Sequence, residues 1–239
     1  MKSFNRIRRL TEVVGDFIDN NGLDNITIAD IGADHGYLAE LLSRNDKIKK
    51  VIATDISKKC LEKTEKLIHD FNLSKVEARL GDGLEPIDRA DIVVVAGLGG
   101  YEIINMLSNQ NITKNGEKKS KIFVFEPSKN TVELRQFLIE NNIEILRDFI
   151  IESGGRFYSI IVCDLDKNNT VEKTLFNLYF GRDNDASNAE FIGFLKFQME
   201  LFSFLKNLTK EQVESDENTK IKYEIFMLVN KILNEKQGE

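Results

Sequence analysis

The sequence predicts an α/β fold: a mainly parallel, doubly wound sheet with an antiparallel hairpin at its edge and a helical appendage at its C-terminal end. Over the first two thirds of the chain, short apolar segments alternate with amphipathic ones. Four of the apolar segments run into an acidic or glycine-bearing turn, which is typical of parallel strands that end at one edge of a sheet. The last third of the chain instead carries apolar residues at helical spacing.

The first of these turns organises the rest. Thr27–Ile31 is predicted as a strand, the stretch from Asp30 to Gly36 as a tight loop, and His35–Ser43 as a helix. The first turn of such a helix leaves backbone N–H groups unpaired. We therefore expect this loop to offer hydrogen-bond donors, and the positive end of the helix dipole, to a ligand.

The other elements follow in order and complete a sheet of seven strands. The further predicted strands are Lys50–Asp55, Val76–Leu80, Asp91–Ala96, Lys121–Glu126, Ile143–Glu152 and Arg156–Asp164. Ser153-Gly154-Gly155 joins the last two as a hairpin. The further predicted helices are Met1–Asn21, a helix capped by Ser57 that runs to Phe71, one that follows Gly97-Leu98-Gly99-Gly100, and Val132–Glu140. A polar linker is expected over residues 108–120.

The C-terminal part predicts an antiparallel helix pair of coiled-coil type. Its first apolar seam is Phe194, Phe197, Leu201, Phe204 and Leu208, and its second is Ile221, Ile225, Leu228 and Ile232. Such seams are far more often packing surfaces than cofactor sites. We expect residues 1–168 to form the sheet domain and residues 169–239 the helical domain.

Composition limits the class of protein. The chain has 239 residues, 41% hydrophobic and 30% charged, with a net charge of −6, so no overall positive field recruits nucleic acid or an anionic membrane. Two cysteines, Cys60 and Cys163, are too few for a disulfide framework or a metal cluster. With no signal peptide or membrane segment recognised, we expect a cytoplasmic protein with no membrane partner and no metal.

The strand ends indicate a nucleoside cofactor without a pyrophosphate. The first loop lacks the G-x-G-x-x-G spacing that admits a dinucleotide. Asp55 can accept two ribose hydroxyls, Asp82 can meet an adenine edge, and Asp30 suits a cationic group. S-adenosylmethionine has this shape, although strand-end acids often only cap helices and an NAD-binding sheet stays an alternative.

Three motifs carry a resemblance to a known family. Asp30-Ile31-Gly32-Ala33-Asp34-His35-Gly36-Tyr37-Leu38, Gly81-Asp82-Gly83-Leu84 and Ala96-Gly97-Leu98-Gly99-Gly100 resemble the bacterial tRNA (adenine(22)-N1)-methyltransferases (TrmK). The resemblance implies a Rossmann-like class I methyltransferase that uses S-adenosylmethionine to methylate adenine N1 in tRNA. The chain departs from the family at Glu126-Pro127-Ser128, where Gln-Pro-Asn is usual.

The resemblance also assigns roles to residues. Asp34 is expected to stabilise positive charge on the base, and His35 to orient the base or relay a proton. The cofactor-binding residues are expected to be Asp30, Gly32, Ala33, Asp34, Gly36, Tyr37, Asp55, Ile56, Gly81, Asp82, Gly83, Ala96, Gly97, Leu98 and Gly99. Arg6, Arg8 and Arg9 are predicted to bind RNA phosphates, although a solvated helix end explains them equally well. His35 has an alternative of the same kind, in which it only caps or packs at the start of the helix.

Two other functions stay open at this stage. One is a class I methyltransferase with another RNA or a small-molecule substrate. The other is a non-catalytic member that binds RNA through its C-terminal helices, for which the Glu126-Pro127-Ser128 departure is the best support. A monomer or a weak dimer is expected.

Overall fold

The structure is a computed structural model that describes residues 2–109, 113–114 and 117–237. One large sheet is built from β1 Ile26–Ile31, β2 Ile48–Asp55, β3 Val76–Leu80, β4 Ile92–Ala96, β7 Ile122–Glu126, β8 Glu144–Ser153 and β9 Arg156–Asp164. Two short strands, β5 Thr113–Lys114 and β6 Glu117–Lys118, pair as a separate ribbon within the segment that was expected to be a linker. Residues 110–112 and 115–116 of that segment lie outside the described residues.

The sheet has the order β3-β2-β1-β4-β7-β9-β8. The first five strands in this order pair in parallel, and β9 is antiparallel to both β7 and β8. Gly154 and Gly155, both with positive φ, form the two-residue turn of the hairpin. The predicted mainly parallel sheet with an antiparallel edge hairpin is therefore confirmed. Strand order reverses between β1 and β4, where open α/β sheets bind ligands.

Helices cover both faces of this sheet. Their bounds are α1 Lys2–Asn20, α2 Tyr37–Ser43, α3 Lys58–Phe71, α4 Gly100–Ser108, α5 Thr131–Glu140, α6 Leu175–Tyr179, α7 Ala189–Leu201, α8 Lys210–Glu214 and α9 Glu217–Gln237. α1 and α2 pack on one face through an apolar cluster that includes Leu10, Val14 and Leu42, and α4 and α5 pack on the other through a second cluster. In the described part of the chain, no helix has the length and hydropathy needed to cross a membrane.

Small differences from the expected elements have local causes. α2 begins at Tyr37 rather than His35, because Gly36 stands in the left-handed region with φ +72° and ends the loop. α3 begins as predicted, since the Ser57 side chain accepts a hydrogen bond from the Cys60 N–H. Met1 of the first predicted helix lies outside the described residues.

The C-terminal helices pack differently from the predicted pair. α7 does contact α9, and Phe191, Leu195 and Ile225 share a third apolar cluster with Ile150 of β8. The predicted first seam is wrong, because α7 ends at Leu201 and a 3-10 turn over Ser203–Asn207 breaks the helical spacing. Its members Phe197, Leu201 and Phe204 are about half exposed. In the second seam Ile225 is buried, and Ile221, Leu228 and Ile232 pack against the same cluster. The division at residue 168 stays a prediction.

A buried ion pair joins the C-terminal segment to the sheet. The guanidinium of Arg135 on α5 donates two hydrogen bonds to the carboxylate of Asp148 on β8, each 2.8 Å long. The same guanidinium donates to the carbonyl oxygens of Leu178 at 3.1 Å and Phe180 at 3.4 Å. The side chains of Arg135 and Asp148 are 1% and 2% exposed, so each charge depends on the other.

We expect Arg135→Ala to lower the free energy of unfolding by about 3–5 kcal/mol, because it leaves the Asp148 carboxylate buried without its partner. Urea denaturation measures the change. Lys173→Ala is the control, since it breaks a half-exposed ion pair with Glu140 and is expected to change the free energy of unfolding far less than Arg135→Ala. Equal effects of the two substitutions would contradict the role given to Arg135.

Candidate functional site

A cavity of about 460 Å³ opens where the strand order reverses, at the carboxyl ends of β1 and β4. This volume suits a nucleoside-sized ligand. The cavity is lined by Arg6, Ile7, Asp30, Gly32, Ala33, Asp34, His35, Tyr37, Leu38, Ala96, Gly97 and Leu98. The structure thus brings together eight of the fifteen predicted cofactor-binding residues, together with His35 and Arg6.

The backbone of the β1–α2 loop is held against β2. The N–H groups of Gly32 and Ala33 both donate to the carbonyl oxygen of Thr54, at 2.9 Å each, and the N–H of Gly36 donates to the carbonyl of Ala33 at 2.8 Å. The expectation that this loop offers free donors to a ligand is therefore wrong for these three amides. Because these three amides are already bound to backbone carbonyl groups, a ligand at this loop would contact its side chains instead.

Close packing explains the glycine at the end of this loop. A Cβ atom on Gly36 would lie 2.8 Å from Cγ2 of Thr64 on α3, and φ at Gly36 is +72°. Thr64 also donates its hydroxyl to the carbonyl of Asp34 at 3.1 Å. Asp34 itself has a φ of +47°, a conformation that Asp tolerates better than most residues. The loop is thereby pinned between β2 and α3, with the Asp34 side chain turned outward.

Asp55, at the end of β2, carries part of this anchoring. One of its carboxylate oxygens accepts the N–H of Asp34 at 3.0 Å, and the other accepts the N–H of Ser57 at 2.7 Å. A carboxylate has about four lone-pair sites, so two acceptor positions are left over. Ile56 follows with 70% of its surface exposed at the same edge of the sheet.

The predicted residues after β3 and β4 are only partly in this cavity. Asp82 and Gly83 line a separate cavity of about 250 Å³ beside α4. Gly81 donates its N–H to the carbonyl of Asp55 at 3.1 Å, which ties the third strand end to the second. Gly99 packs against Glu102 and Lys129, where a Cβ atom would clash. Gly81, Asp82, Gly83 and Gly99 thus lie along the same sheet edge but outside the main cavity.

Asp30 is the most perturbed group in the main cavity. Its side chain is buried, and among the described residues its Oδ2 atom has no hydrogen-bond partner. Burial raises the pKa of the Asp30 carboxyl to about 7, and the negative charge of the nearby Asp55 adds to this rise. A hydrogen bond from the Ala39 N–H lowers the pKa but does not outweigh these effects. A cationic ligand atom beside Oδ2 would remove this cost.

The rim of the cavity carries a connected set of polar side chains. His35 Nδ1 lies 2.7 Å from Asp34 Oδ2, and Lys63 Nζ lies 3.1 Å from His35 Nε2. A neutral imidazole with its proton on Nδ1 satisfies both contacts. Partial burial raises the pKa of Asp34, but hydrogen bonds from Cys60 and His35 and the positive charge of Lys63 outweigh it, so the pKa lies below its ordinary value. Asp34 is therefore ionised at neutral pH, and the ring of His35 is stacked on Tyr37.

A second buried carboxylate lies at the end of β7. Glu126 Oε2 accepts a hydrogen bond from Arg6 Nη1 at 2.6 Å, while Oε1 has no partner among the described residues. Burial raises the pKa of Glu126 to about 7, although the charge of Arg6 lowers it. The Arg6 guanidinium also lies 5.7 Å from the ring centroid of Tyr158. No local sequence pattern predicts this pair, because the two residues are 120 positions apart.

Arg6 separates the main cavity from a larger one of about 750 Å³. The larger cavity is bounded by the end of β7, the start of β9, α5 and α7. Its lining combines charged groups with aromatic rings, among them Glu126, Arg156, Phe157, Tyr158, Tyr179, Phe194 and Phe197.

The three arginines predicted to bind RNA are not equivalent. Arg9 pairs with Glu190 at 3.1 Å and with Glu12 at 3.3 Å, and Arg8 lies 3.5 Å from Glu12 with 71% of its side chain exposed. With Arg6 bound to Glu126, only Arg8 projects fully into solvent. Arg156 is an exposed arginine that pairs with no described acid. No sequence pattern singles it out, because an arginine beside a hairpin turn is common. RNA binding by Arg6, Arg8 and Arg9 stays a prediction.

The described residues contain no group of three or more His, Cys, Asp or Glu that could hold a metal ion.

Comparison with known proteins agrees with this arrangement. A tRNA (adenine(22)-N(1))-methyltransferase of Bacillus subtilis is 26% identical over 162 residues, which are 66% of this chain and 65% of the relative. A protein of Mycoplasma pneumoniae, provisionally named a tRNA methyltransferase, is 35% identical over 144 residues, 59% of this chain and 64% of the relative. The match thus spans less than two thirds of the length of these curated relatives.

Solved structures show the same fold over nearly the whole chain. The structure of M. capricolum TrmK in complex with S-adenosyl-homocysteine superposes with a TM-score of 0.69 at 24% identity, covering 96% of this chain and 95% of that one.

The sheet order and the cavity at its switch point define a Rossmann-like α/β protein. The sequence profile of the family described as "Methyltransferase domain" matches residues 7–161. The chain belongs to that family.

We expect Asp30→Asn to change how stability depends on pH. With a pKa raised from 3.8 to about 7, the folded protein keeps a proton that the unfolded chain loses, so ionisation lowers stability as pH rises from about 4 to 7. The stability of Asp30→Asn relative to the wild type is expected to rise by about 2–3 kcal/mol between pH 5 and pH 8. Urea denaturation at both pH values measures this difference in stability. The titration of Glu126 contributes equally to both proteins and therefore cancels in the difference. A difference independent of pH would show that Asp30 is ionised normally.

Proposed function

We propose that this protein transfers a methyl group from S-adenosylmethionine to N1 of an adenine in tRNA, at position 22. The observation that carries the proposal is the switch-point cavity of nucleoside size, which is lined by the buried Asp30, whose Oδ2 has no described partner, and by the ionised Asp34. The choice of tRNA and of position 22 is supported by the name of the relative from Bacillus subtilis.

The residues present fit this cofactor. S-adenosylmethionine carries a sulfonium and an ammonium group, and either cation beside Asp30 would give its buried oxygen a partner. Asp55 keeps two acceptor positions for ribose hydroxyls, and Asp82, further along the same edge, would accept a hydrogen bond from the adenine amine. When bound, the cofactor supplies an electrophilic methyl group on a cationic sulfur.

Asp34 is proposed to act on the charge that methylation creates. Neutral adenine N1 carries a lone pair and no proton, so it attacks the methyl group without a general base, and positioning dominates the rate. The base becomes cationic as the bond forms, and an ionised carboxylate held at the rim stabilises that charge. His35 donates from Nδ1 to Asp34 and accepts from Lys63, which favours a positioning role over proton relay.

The substrate proposal extends to the rest of the chain. N1 of a paired adenine is hidden, so the target base must be unpaired or flipped out before it reacts. We propose that residues 1–168 form the methyltransferase domain, that residues 169–239 form a helical domain that helps to hold tRNA, and that Arg8 contacts its backbone. We further propose that the protein acts in the cytoplasm as a monomer or a weak dimer.

Methyl transfer from labelled S-adenosylmethionine to unmodified tRNA transcripts, followed by mapping of the modified nucleotide, tests the proposal. We expect one N1-methyladenosine, at position 22. A transcript with guanosine at that position is the control and is expected to stay unlabelled. Label at another nucleotide would refute the proposed position, and no label with any tRNA would refute tRNA methylation.

We expect Asp34→Asn to lower kcat at least about a hundredfold, because the carboxylate charge is lost where positive charge develops. The affinity for S-adenosylmethionine is expected to stay within about tenfold, a difference of about 1.4 kcal/mol. Asn is suited to the positive φ of this position, which limits structural damage. Single-turnover kinetics and calorimetry give the two quantities. Asp70→Asn is the matched control, because Asp70 also lies beside a histidine, His69, on an exposed part of α3. Unchanged kcat in Asp34→Asn would remove Asp34 from the mechanism.

A further inference from the structure

Four strands present side chains to the same face of the sheet near its carboxyl edge. Side chains two residues apart on a strand share a face. Ile28, Val94, Val124 and Ile160 belong to the core cluster under α1, so Asp30, Ala96, Glu126 and Tyr158 face α1 as well. Asp30 and Ala96 line the switch-point cavity, and Glu126 and Tyr158 line the larger one. The two cavities are thus neighbours on one face of the sheet, with Arg6 between them.

The proposed function leaves the larger cavity without a role. Its volume of about 750 Å³ exceeds what a single base needs, and it shares Arg6, but not Asp30, with the main cavity. At its floor, the fully buried Glu126 has one oxygen bound to Arg6 and the other without a partner among the described residues. Glu126 is the only acid among the described residues that line this cavity, and a bound ligand would give its buried, unpartnered Oε1 a hydrogen-bond donor.

We propose that this cavity receives the target base, and that Glu126 selects a base bearing an exocyclic amino group. The proposal deepens the proposed function and rests on it. An ionised carboxylate only accepts hydrogen bonds, and the N6 amine of adenine donates beside N1. Guanine presents the O6 acceptor at the same place and a proton on N1, so it meets repulsion where adenine meets a partner.

The rest of the cavity suits a nucleotide. Phe197 lines the cavity with about half of its surface exposed, and a base can stack on such a ring, a mode that single-stranded RNA commonly uses. The exposed Arg156 pairs with no described acid and stands at the same cavity, where a backbone phosphate would give it a partner. Burial raises the pKa of Glu126 to about 7, and the Arg6 guanidinium opposes that rise, so Glu126 is a pure acceptor above this pH.

Transcripts that differ in one amino group test this role. Purine ribonucleoside keeps the N1 lone pair of adenosine and lacks the amine, and ligation of synthetic fragments places either nucleoside at the target position. We expect wild-type kcat/KM to favour adenosine over purine ribonucleoside by at least about tenfold. In Glu126→Gln and Glu126→Ala this ratio is expected to fall at least tenfold below the wild-type value. Glu140→Gln, an exposed acid on α5, is the control and should keep the wild-type ratio.

The ratio separates recognition from general damage, because a misfolded fraction lowers activity on both transcripts alike. A wild-type preference below threefold, or variants that keep the wild-type ratio within twofold, overturns the role of Glu126 while tRNA methylation stands. Absence of transfer to the adenosine transcript by the wild type overturns both. If neither variant turns over, the same ratio is measured as transcript affinity in the presence of S-adenosyl-homocysteine, with the same limits.

Discussion

Two buried carboxylates, Asp30 and Glu126, constrain the whole carboxyl edge of this sheet. Each lies beneath α1 with one oxygen that no described residue satisfies, and burial raises the pKa of each to about 7. Burying a carboxylate without a full set of partners is unfavourable unless a ligand or a cation completes it. Arg6 donates a hydrogen bond to one oxygen of Glu126 and leaves the other oxygen without a described partner. In the function proposed above, the two remaining oxygens accept the cationic cofactor and the amino group of the base.

The loop after β1 serves this arrangement with its side chains rather than with its backbone. Gly32 and Ala33 donate their N–H groups to Thr54, and Asp55 accepts the N–H of Asp34. A dinucleotide-binding turn instead points its amides at a pyrophosphate. The missing G-x-G-x-x-G spacing and the acceptors already bound by the amides of Gly32, Ala33, Asp34 and Gly36 therefore agree, because neither is typical of a loop that binds a pyrophosphate.

Local patterns predict the sheet well and the site only in part. The strands and the Gly154-Gly155 hairpin depend on periodicity and turn residues, which are local, and the strand-end rule correctly places Asp30 and Gly97 in one cavity. The Arg6–Glu126 pair depends on how α1 crosses the sheet, which no local pattern encodes. No Gly or Pro marks the end of α7 at Leu201. The apolar spacing therefore predicts a helix that continues to Leu208, seven residues beyond its actual end.

The C-terminal helices pack directly against the sheet. Arg135 and Asp148 bind the segment before α7, and Phe191 and Leu195 pack in one cluster with Ile150. The larger cavity accordingly takes walls from both parts of the chain, with Glu126 from the sheet and Phe194 from α7. A surface formed in this way can position a base only while the two parts stay packed together.

The most direct test of the central claim is the affinity of S-adenosylmethionine for the wild type and for Asp30→Asn, measured by calorimetry between pH 6 and pH 8. Comparing the two proteins at each pH cancels titration of the cofactor itself. If the Asp30 carboxylate holds the cationic end, the wild type binds more tightly, and its advantage grows as pH rises through about 7, where Asp30 ionises. Equal affinities at every pH would contradict the claim that this buried carboxylate is the centre of the site.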